Sequence, residues 1–250
     1  MIVAAMATMP SRIEFLEQVV GRIRPQVDVL RIYLNNFDAI PAFLQPGEGI
    51  LSEDAVGDLG DAGKFYWIAG SKNLDWDHYL TIDDDIGYPE DYVSTLVREC
   101  ELRDGKAILG VHGSRFSPVI HDFVTSRSIR FRFHEELLTA QSVHILGTGT
   151  TFFHRGTLNL SLFDFRLRNA GDVQLAIIAQ NMNVPLVAIP RPENWLVELR
   201  PWTAPGFSIW KETKATTHTL IQTHLCNTVA SWIAHKDPAN FAVAVQQRLY

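Results

Sequence analysis

Hydrophobic residues near the amino terminus follow a strand, helix, strand order. Residues 2–6 form a short apolar run that predicts a buried strand, and Ser11 with Glu14 has the spacing of a capping box that opens a helix. Apolar residues then recur at helical spacing until Pro25, and residues 29–34 predict a second strand. This order is a βαβ unit, so we expect a right-handed crossover between two parallel strands.

A second stretch joins a strand, a run of carboxylates and a helix. Residues 79–82 predict a strand, and Pro89 suits the first position of a helix whose apolar stripe extends to Cys100. Between the strand and the helix stand three consecutive carboxylates, Asp83, Asp84 and Asp85, which we call the acidic triplet.

The remaining pattern predicts an α/β domain with a mixed, mostly parallel sheet flanked by helices. A helix is expected to begin at Asp172, and residues 211–235 have a mostly helical pattern. No repeat or linker divides the chain, so we expect a single domain. Further apolar runs predict strands at residues 107–111, 129–133, 143–146, 151–153 and 186–189.

Composition and charge exclude several classes of protein. Hydrophobic residues make up 46% of the 250 residues and charged residues 20%, which is typical of a chain with a buried core and not of a disordered or coiled-coil chain. The net charge is −6, so the chain as a whole does not attract polyanions, although a local basic patch can still do so.

Cysteine usage and hydropathy predict a cytoplasmic protein. Cys100 and Cys226 lie far apart in apolar helical patterns, which favours two buried thiols over a disulfide or a metal pair. The amino terminus lacks the basic region of a signal peptide, and no run approaches the roughly 18 apolar residues of a membrane span. We therefore expect no membrane span.

The acidic triplet is the strongest candidate for chemistry. Three adjacent carboxylates repel one another unless a cation neutralises them, and ligands that are all oxygen favour Mg²⁺ or Mn²⁺. The carboxyl end of a strand in an open α/β sheet is also where ligands bind. Strand alternation predicts that Asp83 and Asp85 point the same way and Asp84 another. The alternative is a solvated acidic turn.

Several motifs resemble, in their order along the chain, those of family-2-like glycosyltransferases of the GT-A fold. They are the Asp-x-Asp at residues 83–85, the segment from Thr8 to Arg12, Asn35 with Asn36, the loop at residues 57–64, and Gly171 with Asp172 ahead of a helix. The resemblance covers residues 2–189. It implies a GT-A-like, Rossmann-like fold in which residues 1–105 bind a nucleotide and residues 106–250 bind the acceptor and include a helical carboxyl-terminal segment.

The resemblance also implies a metal-dependent donor site. Mn²⁺ or Mg²⁺ would bridge the diphosphate of a nucleotide sugar, with a UDP-sugar as the expected donor. Asp85 would ligate the metal, Asp83 would contact the ribose, the sugar or the metal, and His218 or His224 would complete the coordination. Further donor contacts are implied at Thr8, Pro10, Arg12, Asn35, Asp58, Asp61, Lys64 and Asp84, some of which also suit plain turn or loop roles.

Asp172 is the implied general base. In inverting members of the family, a carboxylate at the start of this helix removes the proton of the acceptor hydroxyl. The family often has an acidic residue just before it, where this chain has Gly171, so a retaining mechanism stays open. The alternative role for Asp172 is an ordinary helix N-cap.

Candidate acceptor-binding residues lie in or just after predicted strands. His112 and Gly149 are candidates for acceptor contacts, although a structural histidine and a tight turn explain them equally well. Arg130 and Arg132, with neighbouring basic residues, suggest a surface for an anionic acceptor, against the alternative of a solvated edge strand.

The reaction implied is transfer of a sugar to an acceptor hydroxyl, with inversion. The expected acceptor is a cell-surface glycan, with a hydroxymethylated pyrimidine in DNA as second choice. One alternative is a divalent-metal phosphohydrolase with an aspartate nucleophile, although Gly87 stands where such enzymes have Thr or Val. The other is a protein that binds a sugar nucleotide without catalysis, which uses nearly the same residues.

Overall fold

A computed structural model describes residues 1–68, 75–117, 120, 123, 125–199 and 219. Its helices are α1 (Ile13–Ile23), α2 (Tyr92–Glu101) and α3 (Gly171–Asn181), with 3₁₀ turns at Pro10–Arg12, Arg24–Gln26, Gly60–Phe65 and Leu162–Asp164. Its strands are β1 (Ile2–Thr8), β2 (Val29–Leu34), β3 (Gly49–Leu51), β4 (His78–Ile82), β5 (Ile86–Gly87), β6 (Ile108–Gly110), β7 (Gly113–Phe116), β8 (Arg127–Phe131), β9 (Gln141–Val143), β10 (Ile145–Leu146), β11 (Thr150–His154), β12 (Leu186–Ala188) and β13 (Val197–Glu198).

An eight-stranded sheet forms the centre, in the order β3-β2-β1-β4-β11-β6-β12-β9. Strand β1 pairs in parallel with β2 and β4, and β6 pairs in parallel with β12. Strand β11 runs antiparallel between β4 and β6, and β9 runs antiparallel to β12. The predicted α/β class with a mixed, mostly parallel sheet is therefore confirmed.

The parallel strands end at one side of the sheet, which we call the carboxyl edge. Because β11 reverses direction between β4 and β6, the strands β1, β2, β4, β6 and β12 all end there, and β11 begins there. The predicted β1–α1–β2 unit is confirmed as a parallel pair, with Thr8 level with Leu34. The carboxyl edge is where ligands bind in folds of this class.

Two apolar layers cover the sheet. Helices α1 and α2 pack on one face, where Leu16 and Leu96 join Met6 and Leu80 in one cluster. Helix α3 and the Gly60–Phe65 turn pack on the other face, in a second cluster. Alternation along β1 sends Ala4 and Met6 to the first face and neighbouring residues to the second, as a strand buried on both faces requires.

Two smaller sheets flank the centre. Strands β10, β7 and β8 form an antiparallel sheet, and β13 pairs with β5 just after the acidic triplet. The single strand predicted at residues 143–146 is wrong, because the segment divides between β9, which joins the central sheet, and β10, which pairs with β7. The strand predicted at residues 129–133 is observed two residues earlier, as β8.

Both predicted helix starts in the first half of the chain are wrong. The capping box does not form: Ser11 lies inside the Pro10–Arg12 turn, and α1 begins at Ile13 without a side-chain cap. Helix α2 begins at Tyr92, because Pro89 accepts a turn bond from the Tyr92 amide and leaves the helix to start beyond it. Helix α3 begins at Gly171, one residue from the predicted start.

Some predictions concern residues at the end of the chain. Cys100 is buried as a free thiol, as predicted, while Cys226 and nearly all of the helix predicted over residues 211–235 lie outside the described residues. Within the described part of the chain, no helix combines the length and the apolar character needed to cross a lipid bilayer.

Candidate active site

The acidic triplet lies where β4 ends, at the middle of the carboxyl edge. Asp84 is 2% exposed, whereas the side chains of Asp83 and Asp85 are 35% and 25% exposed. The burial of Asp84 therefore differs from that of its neighbours. Strand β4 ends at Ile82, so the alternation of side chains between the two faces of the strand does not continue through the triplet. One cation therefore contacts both Asp84 and Asp85.

That cation is Arg12. Its Nη1 donates to Oδ1 of Asp84 at 2.8 Å and to Oδ2 of Asp85 at 2.7 Å. The hydroxyl of Thr8, at the end of β1, donates to Oδ2 of Asp84 at 2.6 Å. Burial opposes the charge on Arg12, but the two carboxylates outweigh it and raise the pKa of Arg12. Thr8 and Arg12 are thus held against the triplet.

Lys64 neutralises the remaining member of the triplet. It lies in the Gly60–Phe65 turn, is buried, and its Nζ forms an ion pair with Oδ1 of Asp83. The Asp83 amide donates to the Tyr88 hydroxyl at 2.8 Å, and that hydroxyl donates to the Gly149 carbonyl at 2.6 Å. A Cβ on Gly149 would overlap Asp83, so the position just before β11 needs glycine.

Asp172, at the start of α3, lies close enough to Lys64 and Asp83 for their charges to act on it. Its Oδ1 accepts hydrogen bonds from the Thr148 amide at 2.7 Å and the Thr148 hydroxyl at 2.6 Å. The N-cap of α3 is Ala170, so the interpretation of Asp172 as an N-cap is wrong. Burial raises the pKa of Asp172, the Thr148 bonds oppose that rise, and the charges of Lys64 and Asp83 also act on it.

Asp61 connects the Gly60–Phe65 turn to the start of α3. Its Oδ2 accepts from the Gly171 amide at 2.8 Å, and its own amide donates to Asn169 at 3.2 Å. Its Oδ1 is buried without a hydrogen-bond partner. Burial raises the pKa of Asp61 to about 6, against the attraction of Lys64. The structure places Asp61 at the base of α3, three residues from Lys64.

The other predicted donor contacts lie around β2. Asn35 is buried and its amide is fully used, accepting from Leu59 and Gly60 and donating to the carbonyls of Thr8 and Gly60. Asp58 accepts from Asn36 and Gly60 and pairs with Arg168 at 2.7 Å. Pro10 is exposed at the start of the first 3₁₀ turn.

The predicted acceptor contacts are spread more widely. Gly149 touches the triplet, and His112 follows β6 at the same edge. Arg132 lies beyond the end of β8 and pairs with Glu135 at 2.7 Å, while Arg130 is exposed on β8. The structure therefore brings Gly149 and His112 to the carboxyl edge and leaves Arg130 on a surface strand. His218 and His224 lie outside the described residues.

Oxygen ligands for a divalent metal remain at the triplet. Lys64 uses Oδ1 of Asp83 and Arg12 uses Oδ2 of Asp85, so the second oxygen of each carboxylate has no hydrogen-bond partner among the described residues. Burial, followed by repulsion from Asp83 and Asp84, raises the pKa of Asp85 to about 6, which a cation would reverse. Among the described residues, no three His, Cys, Asp or Glu side chains form a ready metal cluster. The donor set fits Mg²⁺ or Mn²⁺, with water completing the shell.

Comparison with solved structures defines the fold. The mannosyltransferase PcManGT from Pyrobaculum calidifontis, solved with GDP-Man and Mn²⁺, overlaps 99% of this chain and 79% of its own at a TM-score of 0.51 and 13% identity. The fold is GT-A-like. A TarS fragment from S. aureus, residues 1–349, overlaps 74% of this chain and 57% of its own at a TM-score of 0.43 and 11% identity, which is too loose to define a shared fold. No protein-family model and no curated protein matches the chain.

Sequence reasoning missed several residues that the structure places at or near the carboxyl edge. Tyr88 carries no motif, and its contact with Gly149 depends on the pairing of β11 with β4. Thr148 carries no motif of its own, and its contact with Asp172 depends on the approach of α3. Arg191 follows β12, and its position after a strand that ends at the carboxyl edge was the one available signal.

Proposed function

We propose that this chain transfers a sugar from a nucleoside-diphosphate sugar to an acceptor hydroxyl, with inversion. The observation that carries the proposal is the placement of Asp172 beside the triplet. Thr148 fixes one oxygen of Asp172, no other described residue bonds to its Oδ2, and the charges of Lys64 and Asp83 act on it. A carboxylate held in this way can accept the proton of an acceptor hydroxyl.

Under this proposal, the residues around the triplet have separate tasks. Lys64 and Arg12 fix the triplet, and Asp83 and Asp85 would hold Mn²⁺ or Mg²⁺, which supplies Lewis-acid stabilisation of the departing diphosphate when bound. The pKa of Asp172, raised by burial, makes it a stronger base than an exposed aspartate. The likeness to a protein solved with GDP-Man and Mn²⁺ supports a nucleotide-sugar donor. The expected donor is a UDP-sugar and the expected acceptor a cell-surface glycan.

The first test is calorimetric titration of a panel of nucleoside diphosphates, with and without Mn²⁺. We expect one nucleotide to bind in a metal-dependent manner and Asp85→Asn to lose that dependence, because it removes a metal ligand. Asp104→Asn, an exposed change after α2, serves as the control. Absence of binding by every nucleotide contradicts the proposal, and metal-dependent binding by Asp85→Asn contradicts the metal assignment.

The second test separates an enzyme from a binding protein. Asp172→Asn keeps the shape of the side chain but removes its basicity, so nucleotide affinity should stay within about twofold while transfer or donor hydrolysis falls by about 10² to 10⁴. Asp104→Asn should keep wild-type turnover. Unchanged turnover in Asp172→Asn contradicts its role as the base. Nucleotide binding without turnover of any donor by the wild type would favour the non-catalytic alternative.

A further inference from the structure

A second group of charged side chains lies at the carboxyl edge, beyond β11. His112 follows β6 by two residues, and Arg191 follows β12 by three. Strands β6 and β12 are paired neighbours, so these side chains belong to adjacent strand ends. With strands about 4.8 Å apart, β6 and β12 lie roughly 10 and 14 Å from β4. The group is therefore beside the triplet, on the acceptor side.

Arg191 is a buried cation with no carboxylate partner in the described part of the chain. It is 5% exposed, and its two terminal nitrogens donate to the carbonyls of Ile189 at 3.1 Å and Arg132 at 2.6 Å. Its Nε is buried without a partner. Burial lowers the pKa of Arg191 to about 10, only partly opposed by Glu135. Buried charges are normally paired, so this arrangement is incomplete.

His112 lies close enough to Arg191 for the charge of Arg191 to act on its ring. Its Nδ1 is buried without a hydrogen-bond partner, although the residue as a whole is half-buried. Burial, together with the charges of Arg127, Arg191 and Arg132, lowers the pKa of His112 to about 4, so the ring is neutral at pH 7. Glu135 already bonds to Arg132 at 2.7 Å. Arg191 is therefore the cation near His112 that bonds only to backbone carbonyls in the described structure.

This cluster adjoins the proposed base. The Gly147 amide donates to the His112 carbonyl at 2.9 Å, and the next residue, Thr148, holds Asp172. A group bound at His112 is therefore separated from Asp172 by a single turn of the chain. An acceptor can place a hydroxyl at Asp172 and a second group at His112.

We propose that Arg191 and His112 bind an oxyanion, a phosphate or carboxylate group, carried by the acceptor glycan. This inference rests on the proposed transferase function and narrows its acceptor to an anionic one. Each side chain has a buried nitrogen, Nδ1 of His112 and Nε of Arg191, without a hydrogen-bond partner in the described structure. A duplex DNA backbone lies on exposed cations, so a pair that includes the buried Arg191 favours one small anionic group over DNA.

The direct test observes His112 in the wild-type protein by NMR with ¹⁵N-labelled histidine. Inorganic phosphate and acetate are titrated against chloride at equal ionic strength, and His112→Asn identifies the signal. We expect a saturable shift of the His112 ring and a rise in its pKa, by about tenfold in proton affinity, because a bound anion stabilises the imidazolium. A response to phosphate alone assigns phosphate, and a response to both assigns an oxyanion of either kind. No response to either overturns the proposal.

A matched pair of variants locates the site. Arg191→Met should weaken phosphate binding at His112 by at least about tenfold, since it removes the buried charge. Arg22→Met removes an arginine from the exposed face of α1 and should respond like the wild type. Arg191 also supports two backbone carbonyls, so Arg191→Gln, which keeps an amide donor for them but removes the charge, is the fallback if the Met variant does not fold. Wild-type phosphate affinity in a folded Arg191 variant overturns the assignment.

Nucleotide titrations on the same samples separate this proposal from the transferase proposal. Phosphate binding at His112 without any nucleotide binding would keep the anion site and reject the transferase. Nucleotide binding with an unresponsive His112 would keep the transferase proposal and reject the anion site. A shift of His112 by hydroxymethylated duplex DNA at low salt, without a shift by phosphate, would replace the glycan by DNA and overturn the inference.

Discussion

The charged residues on the two sides of β11 differ in how they are paired. On the β4 side, Arg12 and Lys64 contact all three members of the acidic triplet, and Thr8 adds a further bond. On the β6 and β12 side, Arg191 is buried with no described carboxylate partner, and His112 is neutral among arginines. The difference teaches that, among the described residues, one half of the edge is neutralised by its own side chains, while the other half holds a buried cation with no described counter-charge.

Removal of Arg12 should destabilise the β4 side of the carboxyl edge, and we expect the largest loss of stability from this change. Arg12→Met leaves Asp84 buried with only the Thr8 hydroxyl, so the free energy of unfolding should fall by about 3 to 5 kcal/mol. Chemical denaturation measures the loss. The control, Arg22→Met on exposed α1 surface, should change stability by less than about 0.5 kcal/mol.

A double variant sharpens this prediction. Arg12→Met with Asp84→Asn removes both charges, so it should recover part of the loss, because the uncompensated buried carboxylate is gone. Equal stability of the single and double variants would contradict the view that the Arg12 ion pair, and not packing, holds Asp84.

Asp61 offers a test by pH. Its pKa is raised by burial to about 6 from an unfolded value near 3.8, so the folded state holds its proton more tightly. Its contribution is most favourable below pH 4 and is lost as the pH rises through 6. Asp61→Asn, which keeps an acceptor for the Gly171 amide, should match the wild type near pH 4 and exceed its stability by about 2 to 3 kcal/mol at pH 8.

Thermal or urea unfolding of both proteins across pH 4 to 8 measures this difference. Asp104→Asn provides the matched control, since it makes the same substitution at an exposed carboxylate. A constant gap between Asp61→Asn and the wild type would show that burial does not favour the protonated carboxyl.

Gly149 tests how closely β11 approaches the triplet. In Gly149→Ala, the new methyl group would overlap the Asp83 carboxylate, so Asp83 should leave Lys64 and nucleotide affinity should fall about tenfold, with a loss of stability of about 1 to 3 kcal/mol. Gly147→Ala is the matched control, because its methyl would lie 3.5 Å from His112, an ordinary contact. Calorimetry of both variants decides, and equal affinities would contradict the prediction.

Thr148 should give the smallest effect. Thr148→Val removes one hydroxyl bond to Asp172, worth about 1.5 kcal/mol for a charged acceptor, so turnover should fall about tenfold. Because that bond lowers the pKa of Asp172, the acidic limb of the pH–rate profile should move to higher pH. Thr148→Ser keeps the hydroxyl and should keep the profile. An unmoved limb in Thr148→Val would separate Thr148 from the basicity of Asp172.

Local sequence patterns were enough to predict the strands of the central sheet, but not the ion pairs within the site. Apolar runs placed β1, β2 and β4 because strands buried on both faces are continuous in sequence. The same runs located the triplet at a strand end. They could not reveal that Arg12 contacts residues 72 and 73 positions away, since such a contact depends on the neighbouring positions of β1 and β4 in the sheet.

Element boundaries failed where turns compete with helices. Pro89 has a suitable ring for a helix start, yet its carbonyl closes a turn with Tyr92, and the helix begins only there. Arg191 escaped notice for another reason. An isolated arginine after a strand has no spacing signature, and its burial depends on the packing of residues 132–137 over the edge.

The reversed direction of β11 has a mechanical consequence. Among the strand ends at this edge, β11 contributes its beginning, so the turn before it touches Asp83 on one flank and supports Asp172 and His112 on the other. The separation between the triplet and the proposed base is therefore set by the hydrogen-bonded ladder of the sheet and not by a free loop. A shift in the register of β11 would displace both Asp83 and Asp172. The strand pairing therefore fixes the distance between the triplet and the proposed base.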